Sequence, residues 1–357
     1  LAARGIADAA PNPPVGCVLV REGVTLGEGW HHRPGEGHAE VEALRDARTR
    51  GHDPRGATAY VSLEPCNHHG RTPPCSEALI DAGVARIVIG ALDPNPRTAG
   101  GGVRRLRDAG IQVECADDER ARALIERFRF TIASTRPYVT LKMAMSLDGC
   151  VTSRAGVREW LTGEASRERV HALRAEYDAV MVGAGTIRVD DALLTVRPHV
   201  TRRATYRRII VCERDPIPLA SRVLAAPDDA PDGAYARTIV LAPAGARARF
   251  AGLEPVADVV YVGADDALEL DLAAALEALR ERGVTTVFCE GGPTLAGRLI
   301  AADLVQRALF FIAPRFLRGP DAVPVLSGAE LAATAGWRID GSERVGEDLL
   351  LTLSREA

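Results

Sequence analysis

Lysine is nearly missing from this chain. Of its 44 basic residues only Lys142 is a lysine, and the rest are arginine. A bias of this kind suggests a GC-rich genome, in which arginine replaces lysine wherever it can. The survivor is then a candidate for chemistry that needs a compact, tunable charge. Long apolar runs are also missing: none approaches the roughly 18 residues of a membrane span. No signal peptide is evident, although the chain begins at Leu1 and "LAARG" reads as the tail of a helix whose earlier turns are absent. Net charge is −4, which argues against a general nucleic-acid or membrane surface. The seven cysteines are an odd, scattered set, which fits a reduced, cytoplasmic compartment. Cys17, Cys115, Cys150, Cys212 and Cys289 read as packing residues. No strand leads into a G-x-G-x-x-G, so a Rossmann dinucleotide domain is not supported.

With 357 residues, 46% hydrophobic and 26% charged, the chain is expected to be soluble, globular and two-domained. The first part alternates strands at 15–20, 58–63 and 85–91 with helices at 38–50 and 75–82. "GGVRRLRDAG" and "IQVEC" add a helix and a strand, and a helix follows at 117–133. Pro137 and a fresh strand place a boundary near 134–137, giving domains 1–135 and 136–357. The second part places strands at 138–145, 179–183, 208–212, 238–242, 284–289 and 304–312, and helices at 166–176, 271–282 and 293–301. Residues 213–237 read as irregular. The pattern is α/β in both parts.

Two stretches carry chemistry in the first part. In "HAEVEAL", His38 offers an imidazole at a helix start, with Glu40 two residues on. In "EPCNHHGRTPPC", Cys66 follows Pro65 after a strand, and Cys75 follows two prolines where a helix begins, a position that favours a thiolate. One imidazole and two thiolates are three zinc ligands with a fourth position open to water, the catalytic arrangement rather than the structural one. Glu40 beside the activated water can take its proton and deliver it to a leaving amine. A histidine, a glutamate two on and a later proline-cysteine pair form the signature of zinc deaminases. A folding-only site would need a fourth protein ligand, which His68 or His69 could supply.

The eight residues "NHHGRTPP" separate the cysteines, where base and nucleoside deaminases of this type usually have two. With "PNPPVGCVLV" before and "DPNPRTAGGGVRRLRDAGI" after, residues 1–135 resemble the pyrimidine deaminase half of the bifunctional riboflavin-biosynthesis deaminase/reductase family. That family commonly carries "SHHGRTPPC" or "GKTPPC" in this insert. The resemblance implies a cytidine-deaminase-like α/β/α domain that removes the ring amine of 2,5-diamino-6-ribosylamino-4(3H)-pyrimidinone 5′-phosphate as ammonia. Arg71 could clamp a phosphate, His69 and Thr72 could hydrogen-bond, and Asn12 could read a pyrimidine edge. Each could equally be a turn residue.

In the second part, "VFCEGGPTLAGRLI" runs from a strand through two glycines into a helix, a ready anion site that is often only a tight turn. Together with "YVTLKMAMSLDGCV" and "VGAGTIRVDDALLTVR", it resembles the reductase half of the same family over residues 137–357. The resemblance implies a dihydrofolate-reductase-like α/β domain in which NADPH reduces the ribosyl side chain of 5-amino-6-ribosylaminouracil 5′-phosphate to ribityl. Lys142, Arg174, Leu194, Arg197 and Glu290 fall at the family's substrate positions. Ala144, Trp160, Thr186, Asp190 and the run Gly292, Pro293, Thr294, Leu295, Ala296, Gly297 and Arg298 fall at its cofactor positions. Arg174 and Arg197 can hold a phosphate, and Lys142 can stabilise oxyanion character during hydride transfer. Arg174 could instead be a solvated face, and Trp160 core.

Three departures stand out. Arg158 replaces a small hydroxyl residue at a substrate position, Glu213 stands where serine is usual, and Ala192 replaces a proline. Arg158 could add a phosphate contact, whereas Glu213 would repel a 2′-phosphate that it faced. The expectation is a bifunctional enzyme with Zn2+ and NADPH as cofactors and small phosphorylated pyrimidines as partners. It excludes nucleic acid and membrane and leaves a homo-oligomer open. The alternatives are an enzyme active only as a deaminase with a degenerate reductase domain, a tRNA or nucleoside deaminase, and a non-catalytic protein using zinc for stability.

Overall fold

Strands alternate with helices in both parts of the chain, and each part closes on its own sheet. A computed structural model describes residues 1–69, 73–96, 98–197, 205–228, 230–317, 319–329 and 336–355. The chain divides into two compact units, Leu1–Ser134 and Thr135–Ala357.

The N-terminal unit begins with a short helical turn at Ala2–Gly5. It then runs β1 (Gly16–Arg21), β2 (Val24–Trp30), α1 (Ala39–Thr49), β3 (Thr58–Val61), α2 (Cys75–Asp81), β4 (Arg86–Ile89), α3 (Gly101–Asp108), β5 (Gln112–Cys115), α4 (Glu119–Leu124) and α5 (Glu126–Ala133). The sheet order is β2-β1-β3-β4-β5, with β1 antiparallel to both its neighbours and β3, β4 and β5 parallel. Leu19, Ala43, Leu79, Ile87 and Leu106 are buried in its core.

β2 was not anticipated, because Gly27 and Gly29 interrupt its apolar pattern. Those glycines are what seat α1 on the sheet. A Cβ on either would lie 2.4 Å from the backbone of Ala43. The helix lies flat there through Ala39, Ala43 and Ala47, all fully buried. The expected helix at 117–133 is divided into α4 and α5 at Ile125. Cys115 corrects the packing expectation: it is exposed, because β5 is the edge strand and offers little covered face. Cys150 is half-buried, and Cys17, Cys212 and Cys289 are buried as expected.

The C-terminal unit runs β6 (Tyr138–Ser146), β7 (Cys150–Thr152), α6 (Glu164–Arg174), β8 (Ala179–Gly183), α7 (Ala184–Asp190), β9 (Arg207–Val211), β10 (Ile239–Pro243), α8 (Arg247–Phe250), β11 (Asp258–Val262), α9 (Leu272–Glu281), β12 (Thr286–Cys289), α10 (Pro293–Ala301), β13 (Arg307–Ala313), β14 (Val323–Pro324), β15 (Trp337–Val345) and β16 (Asp348–Arg355). Its main sheet has the order β11-β10-β9-β8-β12-β6-β13-β16-β15, parallel from β11 to β13 and closed by an antiparallel hairpin. Buried strands such as Val180–Val182 and Val287–Cys289 are apolar throughout, as expected of a sheet covered on both faces. Among the described residues of 213–237 the chain is largely irregular, as expected, with a short helical turn at Arg222–Leu224. Asp348 fixes the start of α6, accepting from the Gly163 N–H at 2.8 Å and the Ser166 hydroxyl at 2.5 Å. None of the described helices is long and apolar enough to cross a membrane.

Candidate active sites

In the N-terminal unit, His38 is the extended residue that caps α1, and Glu40 follows in the first turn, only 3% exposed. Across from them, Cys66 ends the segment after β3 and Cys75 opens α2. The His38 Nδ1 lies 3.2 Å from the Cys75 Sγ and 3.5 Å from the Cys66 Sγ. The Cys75 backbone N–H donates to the Cys66 Sγ at 3.4 Å, and the Ser76 N–H donates to the Cys66 carbonyl at 3.1 Å.

The three ligand atoms lie within 4.8 Å of one another. A tetrahedral zinc with ordinary Zn–N and Zn–S bonds separates such ligands by about 3.6 Å, so the donor set fits the ion in kind and spacing. His68 and His69 are exposed and do not join the cluster, so no fourth protein ligand is found among the described residues. That removes the main support for a folding-only site.

Electrostatics favour the same reading. The hydrogen bond from the Cys75 thiol, helped by His38, draws Cys66 down to about 4. The same coupling and burial push Cys75 up. Hydrogen bonding to Cys66 raises the His38 imidazole. Burial, with the negative Cys66 nearby, pushes the Glu40 carboxyl up to about 7. A carboxyl poised there can both take and give a proton near neutrality.

Two residues around this cluster were not anticipated. His31 is 2% exposed, and its ring meets that of His38 edge-on with centroids 5.0 Å apart. Its Nδ1–H donates to the Gly37 carbonyl at 3.1 Å, so its Nε2 accepts from the Asn12 amide at 3.0 Å. Asn12 is thus held by His31 through one of its two amide hydrogens, and a ring donor would meet its Oδ1. Glu64, 5% exposed, accepts the backbone N–H groups of Asp93, Gly100 and Val103 at 3.2, 3.0 and 3.1 Å. It ties the 93–103 segment to the stretch bearing Cys66. The "EPC" order was visible, but its long-range partners were not. Arg71 and Thr72 lie outside the described residues.

In the C-terminal unit a cleft of about 880 Å³ opens at the carboxyl ends of β6, β8, β9 and β12. Lys142 and Ala144 line it from β6, with Trp160 and Arg158 on the segment before α6. Thr186, Asp190 and Leu194 form another wall, and Glu290 leads into Gly292, Pro293, Thr294, Leu295 and Arg298. Gly292 caps α10 in extended conformation with Pro293 in the first turn. Leu194 holds φ 55°, a left-handed conformation that a bulky residue rarely adopts.

Several expectations need correcting here. Arg174 is neither a solvated face nor a free phosphate clamp. It forms a bidentate pair with Glu290, its Nη2 at 3.0 Å, and donates through Nη1 to the Thr195 carbonyl at 2.8 Å. Burial would raise Glu290, but Arg174 and then Lys142 hold its carboxyl below the ordinary range. Arg197 is exposed, is not on the cleft wall and donates to the Thr195 hydroxyl at 3.1 Å. Ala296 is fully buried in the core, and a Cβ on Gly297 would strike the Ser327 carbonyl at 2.0 Å. The helical period turns these two away from the cleft that Leu295 and Arg298 face.

Trp160 is 60% exposed rather than core, with the guanidinium groups of Arg158 and Arg167 at 4.5 and 5.1 Å from its ring. Arg158 also reaches Asp190 at 3.6 Å. Burial lowers the Lys142 ammonium, which lies 5.6 Å from the Phe311 ring. His171, also unanticipated, lines the cleft beside Arg174. The paired glycines, Arg298 and the open strand ends suit a dinucleotide.

Residues 1–91 match the family model "Cytidine and deoxycytidylate deaminase zinc-binding region". Residues 137–351 match the "RibD C-terminal domain". The chain is 38% identical to the riboflavin biosynthesis protein RibD of Aquifex aeolicus, covering 97% of this chain and 93% of that one. It is 38% identical to that of Escherichia coli, covering 99% and 96%. A solved Thermotoga maritima structure, described as a diaminohydroxyphosphoribosylaminopyrimidine deaminase/5-amino-6-(5-phosphoribosylamino)uracil reductase, aligns with TM-score 0.83 at 32% identity, over 99% of this chain and 95% of that one.

Proposed function

The chain belongs to the RibD family, a cytidine-deaminase-like domain followed by a reductase domain, and from that premise we propose which residues do its work. It is a bifunctional riboflavin-biosynthesis enzyme with Zn2+ and NADPH as cofactors. A degenerate reductase finds no support.

We assign deamination to residues 1–135 and reduction to 136–357. The observation that carries the first assignment is the convergence of His38, Cys66 and Cys75 beside a buried Glu40. The substrate is 2,5-diamino-6-ribosylamino-4(3H)-pyrimidinone 5′-phosphate, a small phosphorylated pyrimidine.

His38, Cys66 and Cys75 would hold the zinc, which would supply the Lewis acidity that makes water nucleophilic at neutral pH. Glu40 removes a proton from the attacking water and returns it to the ring amine, so that ammonia leaves as the carbon gains oxygen. Asn12, held by His31, orients the ring, and His69 and Arg71 bind from the insert. In the C-terminal unit NADPH supplies hydride. Lys142, in the field of Glu290, would stabilise negative charge on the sugar oxygen as the ring opens to ribityl. The Arg174–Glu290 pair shapes that end of the cleft. Leu194 meets the sugar phosphate from the cleft wall and Arg158 from its rim. Ala144, Trp160, Thr186, Asp190 and the turn from Gly292 to Leu295, with Arg298, receive the cofactor.

The reaction is cytoplasmic, uses no nucleic acid or membrane, and leaves a homo-oligomer open. Incubating zinc-loaded protein with the diaminopyrimidine ribotide and analysing the product by mass spectrometry tests this. The expected product has exchanged one amino group for oxygen and, with NADPH present, has gained two hydrogens. An unchanged substrate contradicts it.

A further inference from the structure

This inference rests on the reading of the C-terminal cleft as a dinucleotide site. It concerns the one group that separates NADPH from NADH, the phosphate on the adenosine ribose. Strands β9, β8 and β12 lie side by side. Glu213 follows β9 by two residues, and Arg298 sits on α10, the helix after β12. Their side chains form an ion pair. Leu270 braces it, donating its N–H to the Glu213 Oε1 at 3.3 Å and accepting from the Arg298 Nη2 at 3.1 Å. Both residues line the cleft, with side chains 28% and 25% exposed, so the pair faces ligand space rather than core.

At the carboxyl ends of parallel strands, an acid accepts from the ribose hydroxyl of one dinucleotide, and an arginine meets the 2′-phosphate of the other. Here the arginine is already answered by an acid. A phosphate would have to approach a carboxylate and compete for the guanidinium, whereas a hydroxyl would find an acceptor in place. Of the other arginines on this wall, Arg188 donates to the carbonyls of Asp215 and Pro216 at 2.5 and 3.4 Å. Arg214 is exposed beside Glu213 and also lines the cleft.

We propose that Glu213 is a specificity-determining residue that suppresses the preference for the 2′-phosphate, so that NADH binds this chain within about tenfold of NADPH. The test is direct titration of the full zinc-loaded chain with each dinucleotide, without substrate, followed by calorimetry. Glu213→Ser frees Arg298 and is expected to raise the NADPH/NADH affinity ratio by about tenfold. Glu213→Gln, which keeps the shape and removes the charge, moves the ratio the same way. A wild-type preference for NADPH of a hundredfold or more overturns the proposal, as does a ratio unchanged in Glu213→Ser. In both cases the cleft still binds a dinucleotide and the underlying reading stands. Failure of both dinucleotides to bind overturns the proposal and the underlying reading together.

Discussion

The zinc cluster and the reductase cleft solve different problems with the same α/β vocabulary. The cluster is local: four residues from two short stretches, each at or near an element's end, close within a few ångströms. The cleft is distributed, drawing on the ends of four strands and on side chains more than a hundred residues apart, such as Arg174 and Glu290. The difference teaches where function is fragile. A local cluster fails outright when one ligand goes, whereas a distributed cleft loses affinity by degrees.

The largest expected effect is therefore in the cluster. Cys75→Ala, or removal of metal by a chelator, is expected to take ammonia release to background. NADPH oxidation on supplied deaminated intermediate should be unchanged, as metal analysis and both assays on one preparation would show. Glu40→Gln should follow, lowering ammonia release by about 10²–10⁴-fold while zinc content stays at one per chain. Loss of zinc with Glu40 would mean that the carboxylate is structural.

Smaller effects belong to the cleft. Arg174→Met leaves Glu290 buried without its main partner and is expected to cost about 3–5 kcal/mol. It should show as a lowered melting temperature and weaker reductase turnover with deamination intact. Trp160→Ala, at an exposed rim, is expected to change dinucleotide affinity only a few-fold and stability by less than about 0.5 kcal/mol. If Trp160→Ala proved more damaging than Arg174→Met, the cleft would be organised from its rim rather than its floor.

The same contrast governs how much could be read in advance. His38, Glu40, Cys66 and Cys75 were legible because metal ligation imposes residue type and spacing within short stretches. Most strands of both sheets were legible from their apolar runs. β2 was not, because the glycines that admit α1 erase its pattern, and β15 was not, because it is an exposed edge strand with mostly polar residues. In the cleft, family resemblance marked the right stretches, but not which side chains face ligand. Arg174 was assigned to phosphate because nothing in its own helix reveals Glu290. Ala296 and Gly297 were carried along in a run that the helical period divides between core and cleft. His31 and Glu64 act through partners distant in sequence, which spacing does not show.

The most direct test of the whole account follows ammonia and NADPH absorbance together as the diaminopyrimidine ribotide is added to wild type and to Glu40→Gln. The account predicts ammonia release and NADPH loss in wild type and neither in the variant, with NADPH loss restored when the deaminated intermediate is supplied. Wild-type ammonia release from Glu40→Gln would contradict it.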